Sequence, residues 1–131
     1  MNQSDKICLI DDDEIYLFLM KKSFSAMGVD NEVLSFLNGA DALEEFIKLK
    51  NNQEELPSII FLDINMPIMD GWEFMTEFRK INANIINEIS VYIVSSSIAS
   101  EDIEKSKTFP EIVDYLTKPV EIDTLASILK G

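Results

Sequence analysis

Five short apolar runs frame the chain: ICLI (7–10), EVLSFL (32–37), SIIFL (58–62), SVYIV (90–94) and IVDYL (112–116). Their length and their β-branched and aromatic content predict strands. Three are apolar almost throughout, so both of their faces need covering, as in a parallel sheet. The third run, within IIFLDINMPIMDG, stops on a single acid, Asp63, and then turns through Pro67 toward Gly71.

Amphipathic helical patterns lie between and after these runs. Met20, Phe24 and Met27 recur at i, i+4 and i+7, and Gly28 ends that pattern as a C-cap. Asn38-Gly39 opens a second helix in which Leu43, Phe46 and Ile47 share a face. A third starts near Asp70-Gly71 with Trp72, Met75 and Phe78, and Trp72 reads as helix packing. A fourth begins around Ser100, where Glu101 and Asp102 suit a helix N-terminus. The last presents Ile122, Leu125, Ile128 and Leu129. KNNQEEL (50–56) and NANIINE (82–88) read as polar connections.

Strands alternating with helices give an α/β fold: a doubly wound, five-stranded parallel sheet with five helices. Among the doubly wound orders we take the flavodoxin-like 2-1-3-4-5, in which the site lies beyond the carboxyl ends of the strands. At 131 residues the chain is expected to be one domain, 1–131, with no residues for an output domain.

Charge and residue usage exclude several classes. A net charge of −13 argues against a nucleic-acid binder and fits a protein that recruits cations or basic partner surfaces. Cys8, the only cysteine, lies in an apolar run and reads as a buried core thiol compatible with a reducing cytosol. Neither a signal peptide nor a membrane span is visible, so a cytoplasmic location is expected. There is no histidine, which removes every mechanism that needs the chain's own imidazole.

The residues just after each strand carry the chemistry. Asp11, Asp12 and Asp13 follow the first, Asp63 the third, Ser95-Ser96-Ser97 end the fourth, and Lys118-Pro119 follow the fifth. The predicted topology gathers them into one crevice. Carboxylates ~5 Å apart at an effective dielectric of ~20 repel by about 3 kcal/mol per pair. Lys118 offsets part of this. A divalent cation offsets more, and all-oxygen ligation selects a hard ion such as Mg²⁺. A carboxylate beside a cation, a hydroxyl and an ammonium makes a phosphoryl-acceptor site, with the carboxylate as nucleophile.

Taken in order, ICLIDD, FLDINMPIMDG, VYIVSSS and DYLTKP resemble the receiver domain of two-component response regulators (CheY-like), from Lys6 to about Lys130. The resemblance implies that Asp63 is the phospho-acceptor. It implies Mg²⁺ (or Mn²⁺) on Asp12 directly, on Asp11 partly through water, on Asp63, and on the backbone carbonyl of Asn65. Ser95 matches the hydroxyl that engages the phosphoryl group and Lys118 the lysine that pairs with it. Tyr115 falls at the switching aromatic, and Lys118-Pro119 would be cis. Asn65 and Ser97 take positions that tune the acyl-phosphate lifetime. A histidine kinase or histidine phosphotransfer protein would be the donor. A downstream protein would read the face formed by the fourth helix, fifth strand and fifth helix, with no nucleic acid and no membrane involved. The chain departs from the family's pattern at Ser95, where Thr is commoner, and at FPEIVDYL, which replaces a small, Gly-containing lead into the fifth strand.

Other readings fit less well. A haloacid-dehalogenase-type phosphatase wants an acid two residues after its nucleophile, and that position is Asn65. A flavin-phosphate loop would be repelled by the acidic triplet. An EF-hand would need alternating ligands and a central Gly where the residues after Asp13 read as helix. A receiver that scaffolds without accepting phosphate remains an alternative.

Overall fold

The computed structural model describes residues 2, 4–81 and 88–130; all but the last residue of the NANIINE connection lies outside them. The strands are β1 (Ile7–Ile10), β2 (Val33–Phe36), β3 (Ile59–Leu62), β4 (Ser90–Ser95) and β5 (Ile112–Thr117). The helices among the described residues are α1 (Glu14–Ala26), α2 (Gly39–Leu49), α3 (Gly71–Phe78), α4 (Ser100–Ser106) and α5 (Ile122–Lys130), with a short 3₁₀ turn at Gln53–Glu55. All strand pairs are parallel, as the apolar runs predict, and the order is β2-β1-β3-β4-β5, the one taken among the doubly wound orders.

Alternation along the central strands feeds two apolar layers. Cys8, Ile10, Ile60 and Leu62 point to one side, where Ala42 and Phe46 of α2 and Phe74, Met75 and Phe78 of α3 cover them. Ile7, Leu9, Ile59 and Phe61 point to the other, against Leu17, Met20 and Phe24 of α1 and Leu125 and Leu129 of α5. Every residue of β1 and β3 is therefore buried, whereas β2 and β5 at the edges stay partly open. Cutting a fully buried ring such as Phe24 or Phe46 to Ala costs about 3–5 kcal/mol by transfer and cavity effects. Cys8 lies inside the first layer, and its burial pushes the thiol pKa up.

Polar side chains start the first three helices. Asp13, Asn38 and Asp70 each accept hydrogen bonds from backbone N–H groups in the following turn, and Asp70 and Glu73 form a reciprocal capping box. Gly28 follows the cap of α1 with φ +77°, the left-handed conformation that lets the chain turn toward β2. Two expected face residues are not covered. Ile47 is 48% exposed because α2 meets the sheet through Ala42 and Phe46, which leaves Ile47 on the outer edge of the stripe. Ile122 is 56% exposed because it opens α5, one turn before Leu125 reaches the core. No helix of the described residues is long and apolar enough to cross a membrane.

Candidate functional site

Strand register brings the first acids together. Ile10 pairs with Leu62, so Asp11 and Asp63 leave neighbouring strands at the same level. Each is anchored by its own N–H: Asp63 donates to the carbonyl of Ile10 at 2.9 Å, and Asp11 to that of Phe36 at 3.1 Å. Asp11 and Asp63 are buried and Asp12 is exposed, yet carboxylate oxygens of all three lie within 4.8 Å of one another. Asp13, the last of the acidic triplet, does not join them. Its Oδ1 accepts the N–H groups of Ile15 and Tyr16 at 3.0 and 3.2 Å, so its charge caps α1.

Lys118 enters from the far end of the chain. Its Nζ donates to Asp11 Oδ2 at 2.7 Å and lies 3.6 Å from Asp63 Oδ2. Its backbone N–H donates to the Ser95 carbonyl at 2.8 Å, and the Lys118–Pro119 peptide is cis. Burial alone would lower the Lys118 pKa, but the hydrogen bond to Asp11 and the charge of Asp63 outweigh it and hold the ammonium above its ordinary value. Asp63 is shifted upward by burial first and then by the Asp11 charge; the Asn65 N–H, at 3.2 Å from Oδ1, and the Lys118 charge oppose this only in part. One ammonium cannot neutralise three carboxylates. The site is an all-oxygen, over-acidic cluster, which suits a hard divalent cation such as Mg²⁺ or Mn²⁺.

Ser95 ends β4, fully buried, and its Oγ accepts the N–H of Ser97 at 3.0 Å. Ser97 holds a further network. Its carbonyl accepts the Tyr115 hydroxyl at 2.8 Å, and its own Oγ donates to Asp102 Oδ2 at 2.8 Å. The other oxygen of Asp102 accepts the Trp72 indole N–H at 3.2 Å. Trp72 thus does more than pack: it ties α3 to the first turn of α4. It also stacks on Phe109 with 5.9 Å between ring centroids, which gives the FPEI lead into β5 a structural task. Arg79 reinforces that lead, lying over Phe109 and pairing with Glu111 at 3.1 Å.

Asp11, Asp12, Asp63 and Lys118 therefore meet directly, Asn65 joins through its N–H, and Ser95 joins through its backbone contact with Lys118. Tyr115 is one link further out, on Ser97. Sequence reasoning missed Tyr16, whose ring centroid lies 4.3 Å from Lys118 Nζ, and the tether at Asp102. Tyr16 carries no signal beyond its place in the first turn of α1. Asp102 reads from sequence as an ordinary acid at a helix start.

The chain matches the family described as the response regulator receiver domain over residues 7–130. It is 30% identical over 132 residues to the sensor histidine kinase CheAY of Helicobacter pylori, covering 97% of this chain and 15% of that protein. It is 30% identical over 128 residues to the transcriptional regulatory protein PrrA of Mycobacterium leprae, covering 98% of this chain and 49% of that protein. The chain thus spans half or less of the length of these two curated relatives. A two-component response regulator from Cytophaga hutchinsonii has the same fold, with a TM-score of 0.86, 30% identity, and coverage of 96% of this chain and 94% of that one.

Proposed function

This chain belongs to the response regulator receiver domain family, and we propose that it accepts a phosphoryl group on Asp63 from a partner's phosphohistidine. The observation that carries the proposal is the burial of Asp63 within one cluster with Asp11, Asp12 and the Lys118 ammonium. These 131 residues hold no histidine, so the phosphohistidine lies outside them. A histidine kinase or a histidine phosphotransfer protein fits, and the kinase relative supports that choice.

A carboxylate oxygen of Asp63 attacks phosphorus, the phosphorus–nitrogen bond of the donor breaks, and the donor imidazole leaves with the electron pair. Asp11, Asp12, Asp63 and the Asn65 carbonyl would hold Mg²⁺ or Mn²⁺, whose charge when bound neutralises the acids and the incoming phosphoryl oxygens. Lys118 stands ready to pair with those oxygens, because its ammonium already lies 3.6 Å from Asp63. Ser95 Oγ uses its one lone proton to donate to another of them. Asn65 and Ser97, each two residues beyond a reacting position, tune how long the acyl phosphate lasts.

The new group adds a charge of roughly −1.5 to −2. As Ser95 is drawn toward it, the Ser97 N–H that Ser95 Oγ accepts shifts as well, and Tyr115 hangs from the same residue. That biases the face made of α4, β5 and α5, which we take as the contact surface for a downstream protein. Shifting such an equilibrium from 1:99 to 99:1 needs about 5.5 kcal/mol of differential stabilisation. Charge-assisted hydrogen bonds of about 1.5–3 kcal/mol each reach that. We read residues 1–131 as a single receiver domain.

Acetyl phosphate with Mg²⁺ and intact-mass detection tests the reading. Wild type should gain one phosphoryl group and Asp63→Ala none. An unmodified wild type under conditions that label another receiver would favour a scaffold that never takes phosphate. Sustained turnover of small phosphoesters, lost in Asp63→Ala, would favour a phosphatase.

A further inference from the structure

We infer that Tyr16 is a positioning residue for Lys118: its ring face holds the ammonium against Asp11 and Asp63 and keeps it aimed at the acceptor. This rests on the phospho-acceptor reading of Asp63.

A lysine ammonium is a compact charge on a flexible stem, and nothing in the stem fixes its direction. Here three things surround it. Asp11 takes one hydrogen bond at 2.7 Å, Asp63 lies at 3.6 Å, and the Tyr16 ring centroid at 4.3 Å. The Lys118 side chain is 19% exposed, so water has an approach and the ring closes part of it. A cation over an aromatic face gains more where it is desolvated. Opposite charge alone would let Nζ settle wholly on Asp11, the nearer acid. The ring adds an attraction that does not depend on either carboxylate, and it stays in place when Asp63 changes charge.

The ring is itself placed with care. Tyr16 lies in the first turn of α1, and its N–H donates to Asp13 Oδ1 at 3.2 Å. The last acid of the triplet thus enters the site indirectly, through the helix turn that presents the ring. The Tyr16 body packs on the apolar layer between the sheet and α1 and α5. Its hydroxyl is buried with no hydrogen-bond partner among the described residues, so the contact with Lys118 rests on the ring and not on the oxygen.

The test compares Tyr16→Leu, Tyr16→Met and Tyr16→Phe. Labelling by acetyl phosphate with Mg²⁺ should slow about threefold to tenfold in Tyr16→Leu and Tyr16→Met, and recover in Tyr16→Phe. Met fills the space flexibly without a π face, so it carries the comparison if the Leu variant does not fold. A second readout uses metal-free protein. The ε-methylene protons of Lys118 should show an upfield ring-current shift by NMR in wild type and Tyr16→Phe, and lose it in the aliphatic variants. Full labelling rates in both aliphatic variants would overturn the inference. So would a Phe variant as slow as Leu, since the hydroxyl would then be responsible. If wild type is not labelled at all, the acceptor reading fails, while the ring-current shift still decides whether Tyr16 holds Lys118.

Discussion

Two lines of contact lead away from Lys118, and they are built from different materials. One is short and charged: Asp63, Lys118 and Asp11, closed off by the Tyr16 ring. The other is longer and made of hydrogen bonds: Ser95 to Ser97, Ser97 to Asp102, Asp102 to Trp72, with Tyr115 hanging from Ser97. The first turns inward and ends in the apolar layer beneath α1. The second runs outward over the β4–α4 connection and ties it to α3. Buried opposite charges hold position strongly but over short range. A chain of directional hydrogen bonds holds each link weakly and passes a displacement along. Under the proposed function the labour divides: the Lys118 side would fix the reacting charges, and the Ser95 side would report that they have changed.

The sharpest way to break this contrast is Lys118→Met, which keeps the stem and deletes the charge. Asp11 and Asp63 then face each other uncompensated, so metal-free stability should fall by about 2–3 kcal/mol, read by urea unfolding. Labelling should slow about 100-fold, as for loss of a preorganised donor. A much smaller effect on labelling would mean that Lys118 is structural only. Next in size is Asp102→Ala, which cuts two links of the outward line at once. It should cost about 1–2 kcal/mol and shift the emission of Trp72, the only tryptophan, while slowing labelling far less than Lys118→Met does. Unchanged emission would show that the tether to α3 does not form in solution.

The smallest expected effect has the opposite sign. Burial and the Asp11 charge raise the pKa of Asp63, so the folded protein binds its proton more tightly than the unfolded chain. That contribution favours folding below the ordinary carboxylate pKa and is lost as pH rises through the raised value. Metal-free Asp63→Asn should therefore be more stable than wild type at pH 7. The gap should close as pH falls into the carboxylate range. A thermal-melt series with pH, with and without Mg²⁺, checks both the sign and the cation's ability to remove the penalty. An Asn variant less stable than wild type at pH 7 without metal would show that Lys118 over-compensates the acids.

The sequence reveals these two lines unequally. The parallel sheet is legible because β1 and β3 are buried on both faces, so their runs admit almost no polar residue. The polar groups of the candidate site are legible because each stands at or just past the end of an apolar run, where any change of residue type is conspicuous. The contacts that orient them are not. Tyr16 and Lys118 are far apart in the chain, and a tyrosine in an amphipathic helix looks like core. Asp102 and Trp72 both sit where helix rules already explain them. Asp13 reads from sequence as one more acid in the crevice, whereas its carboxylate serves the helix. In α2 and α5, periodicity identified a face correctly but not its width, so Ile47 and Ile122 fall outside it.

Gly71 has a mechanical consequence. A β-carbon there would sit 2.7 Å from the carbonyl oxygen of Asp63 and 2.7 Å from the α-carbon of Ile64. Its N–H also grips the Ile64 carbonyl at 3.0 Å. The start of α3 is therefore pressed against the very backbone that bears the proposed acceptor, like an anvil behind the struck point. On that side the backbone of Asp63 has no room to give way.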